Sequence, residues 1–198
     1  MNATELRVAI GGLGAIGMDL AQALDAGVEG LVLSAVASRD QDKARSQVSG
    51  LRATPRVVTT RELAEHADVV VEAAPSSAFD DIAEPAIAGG RIFVPSSVGQ
   101  LLSREHLIEQ ARSTGARIVV PSGALLGLDA VRGAAEGGIN TVTMVTRKPP
   151  NGLEGAPHLV NNNIDVSNLS EPLLVFEGSA RDGANIKPCI AGAFPAMP

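Results

Sequence analysis

Tryptophan and tyrosine are absent from the chain, and phenylalanine occurs only four times. No aromatic platform for stacking bases can be assembled from that supply, and the core has to be packed from Ala, Val, Leu and Ile, the composition of a buried parallel sheet. Cysteine is almost missing too. The single Cys189 excludes an internal disulfide framework and a cysteine-built zinc cage, and reads as a small free thiol. Lysine and arginine form no block, and the net charge of −6 argues against nucleic acid or an anionic membrane as a partner. No apolar run approaches the ~18 residues of a membrane span, and no basic leader precedes an apolar stretch. These absences predict a soluble, cytoplasmic protein. What remains is 198 residues, 45% of them apolar, enough to bury about 70% of the unfolded surface.

Apolar runs alternate with helical stretches. "LRVAI" (6–10) predicts a strand, and "AIGMDLAQALDAG" (15–27) predicts a helix with Ile16, Leu20, Ala23 and Leu24 on one face. Strand "LVLSAVAS" (31–38), polar helix "DQDKARSQV" (40–48) and strand "RVVTT" (56–60) follow, then Thr59 and Glu62 at capping-box spacing before a helix over 61–67. The rhythm continues through strand 68–75, helix 78–90, strand 91–97, helix 103–115 and strand 117–121. Such alternation implies right-handed βαβ crossovers and a doubly wound parallel sheet covered on both faces, an α/β fold of the Rossmann type. The pattern changes after a last helix at 125–138. "NTVTMVTRK" (140–148) alternates with period two, a turn-rich stretch follows, and "LLVFEGSA" (173–180) reads as one more strand. The expected domains are therefore a dinucleotide-binding domain over 1–138 and an incomplete α+β catalytic and oligomerisation domain over 139–198.

The sharpest local signal is "IGGLGAIG", in which Gly12, Gly14 and Gly17 fit G-x-G-x-x-G between a predicted strand and a predicted helix. Gly12 permits the tight turn, Gly14 lets backbone approach a pyrophosphate, and Gly17 lets the helix pack close to the strand. With Ile16, which lies inside the same fingerprint, these are the candidate cofactor-binding residues. The helix start then offers N–H groups and a positive dipole end to phosphate. The choice of dinucleotide is made at the end of the second strand, where an acidic residue ordinarily accepts the ribose hydroxyls of NAD. Here Ser38 and Arg39 occupy that region, and Asp40 comes late and doubles as a helix N-cap. A hydroxyl beside a guanidinium suits a 2′-phosphate, so NADP is expected as well as NAD. The loops "EAAPSS" (72–77), "VPSSVG" (94–99) and "VPSGALLGLDA" (120–130) end strands at the edge where a nicotinamide would lie, and Ser97 and Ser122 could bind amide or carboxylate oxygens there.

Three segments carry a family resemblance: "GGLGAIG", "PSGALLGLDAVRGAAEGGINTVTMVTRKPP" (121–150) and "VFEGSARDGA" (175–184). Together the chain resembles the L-aspartate dehydrogenases, from about residue 6 to about residue 184. The resemblance implies oxidation of L-aspartate by NAD or NADP to iminoaspartate, which can hydrolyse to oxaloacetate and ammonia, as a route into pyridine nucleotide synthesis. It implies a homo-oligomer, and it assigns a cofactor-contacting position to Ala124. Such chemistry needs cations for two carboxylates, for which Arg147 and Lys148 are candidates, and a general base.

No catalytic residue is assigned. The family's Asn-containing cofactor segment and its catalytic histidine are not matched in the tail "KPCIAGAFPAMP" (187–198), and His66, His106 and His158 read as surface or loop residues. The expectation is a C-terminally truncated or altered member with impaired turnover. Two alternatives stay open: a dinucleotide-binding remnant without catalysis, and a related amino-acid or semialdehyde reductase.

Overall fold

A computed structural model describes residues 5–121 and 127–185. Two compact units divide after Pro121. The first is built in chain order from β1 (Leu6–Gly11), α1 (Ala15–Ala26), β2 (Leu31–Ala37), α2 (Gln41–Val48), β3 (Arg56–Val58), β4 (Val69–Glu72), α3 (Phe79–Ala88), β5 (Ile92–Pro95), α4 (Glu105–Thr114) and β6 (Arg117–Ile118). All six strands run parallel in the order β3-β2-β1-β4-β5-β6. This is the expected doubly wound sheet. The chain winds outward from β1 to β3 and then crosses back to β4, so the strand order reverses between the carboxyl ends of β1 and β4, where ligands bind in open α/β sheets.

Two apolar layers cover the sheet. Ala9, Ala35, Ala37, Val70 and Phe93 face one side, where Phe79, Ile82, Ala83, Ile87 and Leu107 of α3 and α4 close over them. Phe79 meets Phe93 edge to face at 5.7 Å between ring centres. Val8, Ile10, Leu33 and Val36 face the other side, against Ala21 of α1 and Ala44 and Val48 of α2. Leu33 and Val36 share a face despite being three residues apart because the ladder slips once: Val8 pairs with Leu33, but Ala9 pairs with Ala35. Ser34 is the extra residue, and its hydroxyl donates to the Val8 carbonyl at 3.0 Å.

Two local expectations are corrected. The capping box at Thr59 forms, Glu62 accepting from the Thr59 N–H at 2.8 Å and its hydroxyl at 2.7 Å, but it opens a 3-10 turn, Thr60–Glu65, rather than an α-helix. On α1 the buried residues are Gly17 and Ala21, whereas Ile16 and Leu20, of the apolar face expected with Ala23 and Leu24, are 57% and 37% exposed. The small face wins because only there can the helix axis come close to the turn that precedes it.

The second unit contains, among its described residues, α5 (Leu128–Ala135), α6 (Pro157–Asn161), α7 (Ala180–Asn185) and a small cluster of Leu153, Ala156, Leu159 and Val166. The strands expected over 140–148 and 173–180 are not formed among the described residues. A period-two sequence becomes a strand only when another strand accepts from its N–H groups and donates to its C=O groups, and neither stretch is so paired among the described residues. The Val175 carbonyl instead accepts from Nε2 of His158, 3.0 Å away, and Phe176 stands edge-on to the same imidazole.

Candidate functional site: the glycine turn at the sheet switch point

The turn between β1 and α1 is shaped by three glycines for three different reasons. Gly12 has φ +101°, and a Cβ there would run into the Ala73 carbonyl and lie 2.8 Å from Ala74 Cα, so the turn presses directly on the segment that follows β4. At Gly17 a Cβ would overlap the Gly12 carbonyl group, its carbon 2.9 Å away, so α1 packs onto the turn through a bare backbone. Gly14 is the opposite case. Among the described residues nothing lies within 4 Å of the place its Cβ would take, and it sits at the N-cap of α1 with no side-chain cap and no acidic residue in the first turn.

That open, uncapped helix start fits a pyrophosphate: the early N–H groups of α1 carry the positive end of its dipole, and among the described residues no side chain caps them. Ile16 is exposed in the first turn of α1. The turn is fixed from behind by Gly12 N–H to the Ala37 carbonyl at 2.8 Å and by Gln47 of α2, whose amide donates to the Leu13 carbonyl at 3.2 Å.

At the end of β2, Ser38 is half-buried and Arg39 exposed. Asp40 is occupied as the N-cap of α2, accepting from the Lys43 N–H at 3.0 Å. Arg39 makes no hydrogen bond or ion pair among the described residues. The structure thus brings Gly12, Gly14, Ile16 and Gly17 together at the switch point, with Ser38 and Arg39 at the end of the neighbouring strand. Ala124 and Ser122 lie outside the described residues, as does the tail 187–198. Arg147 is exposed in the extended stretch of the second unit.

One site residue escaped the sequence reading. Glu72, the last residue of β4, is completely buried beside Gly11 of β1 and Pro95 of β5. Its Oε1 accepts from Ala74 N–H and from the Ser97 hydroxyl, each at 3.1 Å, and its Oε2 accepts from Ser97 N–H at 2.9 Å. Burial pushes the carboxyl above the ordinary carboxylate range, against the downward pull of the Ser97 and Ala74 donors. Ser97, read from sequence as able to bind amide or carboxylate oxygens, donates its hydroxyl to the Glu72 carboxylate. A carboxylate closing the apolar run "DVVV" was the available signal. Among the described residues no cluster of His, Cys, Asp and Glu could hold a metal ion, and no helix is long and apolar enough to cross a membrane.

Fold and turn together define a dinucleotide-binding domain of the dehydrogenase class. Residues 12–121 match the family "Homoserine dehydrogenase, NAD binding domain", and residues 129–189 match "Aspartate dehydrogenase, C-terminal". Among curated proteins, the L-aspartate dehydrogenase of Bradyrhizobium diazoefficiens is 55% identical over 91% of this chain, and L-aspartate dehydrogenase 3 of Bordetella bronchiseptica is 48% identical over 91%. The chain belongs to the L-aspartate dehydrogenase family. It spans 64% and 66% of the length of those two relatives. Among solved structures, the apo scyllo-inositol dehydrogenase of Lactobacillus casei superposes with a TM-score of 0.52 at 18% identity, covering 69% of this chain and 42% of that one, a likeness of fold.

Proposed function

We propose that this chain binds NAD or NADP in its first unit and serves the oxidation of L-aspartate to iminoaspartate, with the second unit contributing to the substrate site and to subunit contacts. The observation that carries the reading is the coincidence, in one chain, of a glycine turn fitted for pyrophosphate and a following segment matched to the aspartate dehydrogenase C-terminal family. A bound nicotinamide would supply the hydride acceptor for the amine-bearing carbon. The chain's own residues do the holding: the start of α1 binds the pyrophosphate, and Ser38 and Arg39 take the adenosine end, where the guanidinium favours a 2′-phosphate. The cation pair Arg147 and Lys148 is the candidate for the substrate carboxylates. A cytoplasmic location is supported by the single cysteine, and homo-oligomers by the apolar side chains Val142, Met144 and Val145, each more than 60% exposed.

Two measurements on the purified protein test this. Ligand at about 100 times its Kd stabilises a native state by about 2.7 kcal/mol, so NADP or NAD should raise the melting temperature by several degrees. Aspartate should then drive reduction of the nucleotide, followed at the nicotinamide absorbance. A thermal shift without aspartate-dependent reduction favours the alternative of a dinucleotide-binding protein without catalysis. No shift with either nucleotide removes both.

A further inference from the structure

Glu72 occupies a core-facing position at the end of an apolar strand, where a valine would be buried at no electrostatic cost. Burying a carboxylate there costs several kcal/mol unless every oxygen is satisfied. Among the described residues no cation satisfies it. Its three donors are Ala74 N–H, Ser97 N–H and the Ser97 hydroxyl, one from the segment after β4 and two from the segment after β5. The ladder continues over the same residues, with Ala73 N–H on the Gly11 carbonyl at 2.7 Å and Ser96 N–H on the Glu72 carbonyl at 2.8 Å. Ala73 and Ala74 are also the residues on which the Gly12 turn rests, in contact so close that a Cβ on Gly12 could not be fitted between them. A chain of contacts therefore runs from the β5 segment through Ser97, Glu72 and Ala74 to the phosphate-binding turn.

We propose that Glu72 is a positioning residue for the bound dinucleotide: its buried carboxylate fastens the segments after β4 and β5 into one wall, and that wall sets the conformation of the Gly12–Gly14 turn. The inference rests on the nucleotide-binding reading above. Removing the charge replaces one accepting oxygen by a donor that faces a backbone N–H, shortening the reach withdraws both oxygens from theirs, and the turn loses its backing even though no contact to ligand has been deleted.

The test compares NADPH affinity, by nicotinamide fluorescence titration, with melting temperature for the full chain and four variants. Glu72→Gln and Glu72→Asp, which change charge and reach separately, should each weaken NADPH binding about tenfold, the scale of one lost buried charge-assisted hydrogen bond. Ser97→Ala should weaken it about threefold, and Ser97→Thr, which restores a hydroxyl, should return it to within about twofold of wild type. Ser97→Ala and its rescue decide the matter if the Glu72 variants do not fold. Folded variants at both positions that bind NADPH with wild-type affinity overturn the inference while the nucleotide site stands. A folded wild-type protein that binds no dinucleotide overturns the nucleotide-binding reading and this inference together.

Discussion

A methyl group added to Gly17 and one added to Gly14 meet opposite surroundings, and the difference separates folding from binding at single-residue scale. Gly17→Ala drives a Cβ into the Gly12 carbonyl, which backbone must relieve by moving α1, and should cost about 1–3 kcal/mol of stability, read by urea denaturation. Gly14→Ala adds a methyl to open space at an ordinary φ of −76°, so stability should change by no more than about 1 kcal/mol. Its effect falls on the ligand, because that space is where a pyrophosphate would approach; nucleotide affinity should drop at least tenfold. Wild-type affinity in Gly14→Ala would move the phosphate site elsewhere. Arg39 gives a second residue-level prediction. Its guanidinium makes no ion pair among the described residues, and Asp40 is engaged by Lys43, so Arg39→Ala should weaken NADP about tenfold and leave NAD within about twofold. Equal loss for both would place Arg39 on the pyrophosphate or adenine instead of the 2′-phosphate.

At the scale of elements, a carboxylate with opposite pH behaviour stands at each end of β4, one tying it to β1 and the other to the segment after β5. At the amino end, Asp68 accepts from the Arg7 backbone N–H at 2.9 Å and from its guanidinium at 2.8 and 3.1 Å. Those bonds hold the Asp68 pKa at about 2, below its ordinary 3.8. A lowered acid contributes stability above its unfolded value that is lost as pH falls through the folded one. The melting-temperature gap between wild type and Asp68→Asn should therefore be constant above about pH 4 and close as pH approaches 2. At the carboxyl end, burial raises Glu72, so its contribution is present below the ordinary 4.5 and lost as pH rises through the raised folded value. Wild type should lose stability relative to Glu72→Gln over that rise, the opposite slope. A gap for Asp68→Asn that persists unchanged to pH 2 would mean the Arg7 contact contributes nothing to folding.

These elements also show what the sequence could and could not disclose. The strands of the first unit were legible because apolar runs bounded by Gly and Pro, alternating with helical stretches, admit few arrangements other than a parallel sheet. The glycine fingerprint was legible because its spacing encodes one turn. Periodicity could not reveal which face of α1 is buried, since Ile16 and Leu20 are more apolar than Gly17 and Ala21; the decision came from close approach to the Gly12 turn. Nor could it reveal the Ser34 bulge, which exists only in the pairing of two strands, or the two donors that Ser97 gives Glu72 from 25 residues away in sequence. The strand read over 140–148 failed for a related reason, because alternation specifies two faces but not a partner.

For the molecule as a whole, the two units differ sharply in what holds each together. The first carries an apolar layer on each face of its sheet. The second buries Leu153, Ala156, Leu159 and Val166, with Ile164 and Val175 packed partly against them. Side chains of that kind contribute about 1.5–3 kcal/mol each, against about 1–2 kcal/mol per ordered residue in lost backbone entropy. Judged by its own core, the second unit should open first, and among its described residues the most susceptible stretch is 141–147, exposed throughout, with Val142, Met144 and Val145 at 62%, 61% and 74%. Thermolysin cuts before bulky apolar residues, so brief digestion should cleave first within 141–147 and leave a resistant fragment containing β1 to β6, identified by intact mass. Saturating NADP should slow later cuts within 5–121 without slowing the first one, because a ligand protects the unit it binds. An initial cut inside 5–121, or an equal delay of both cuts by nucleotide, would instead show that the two units open as one cooperative structure.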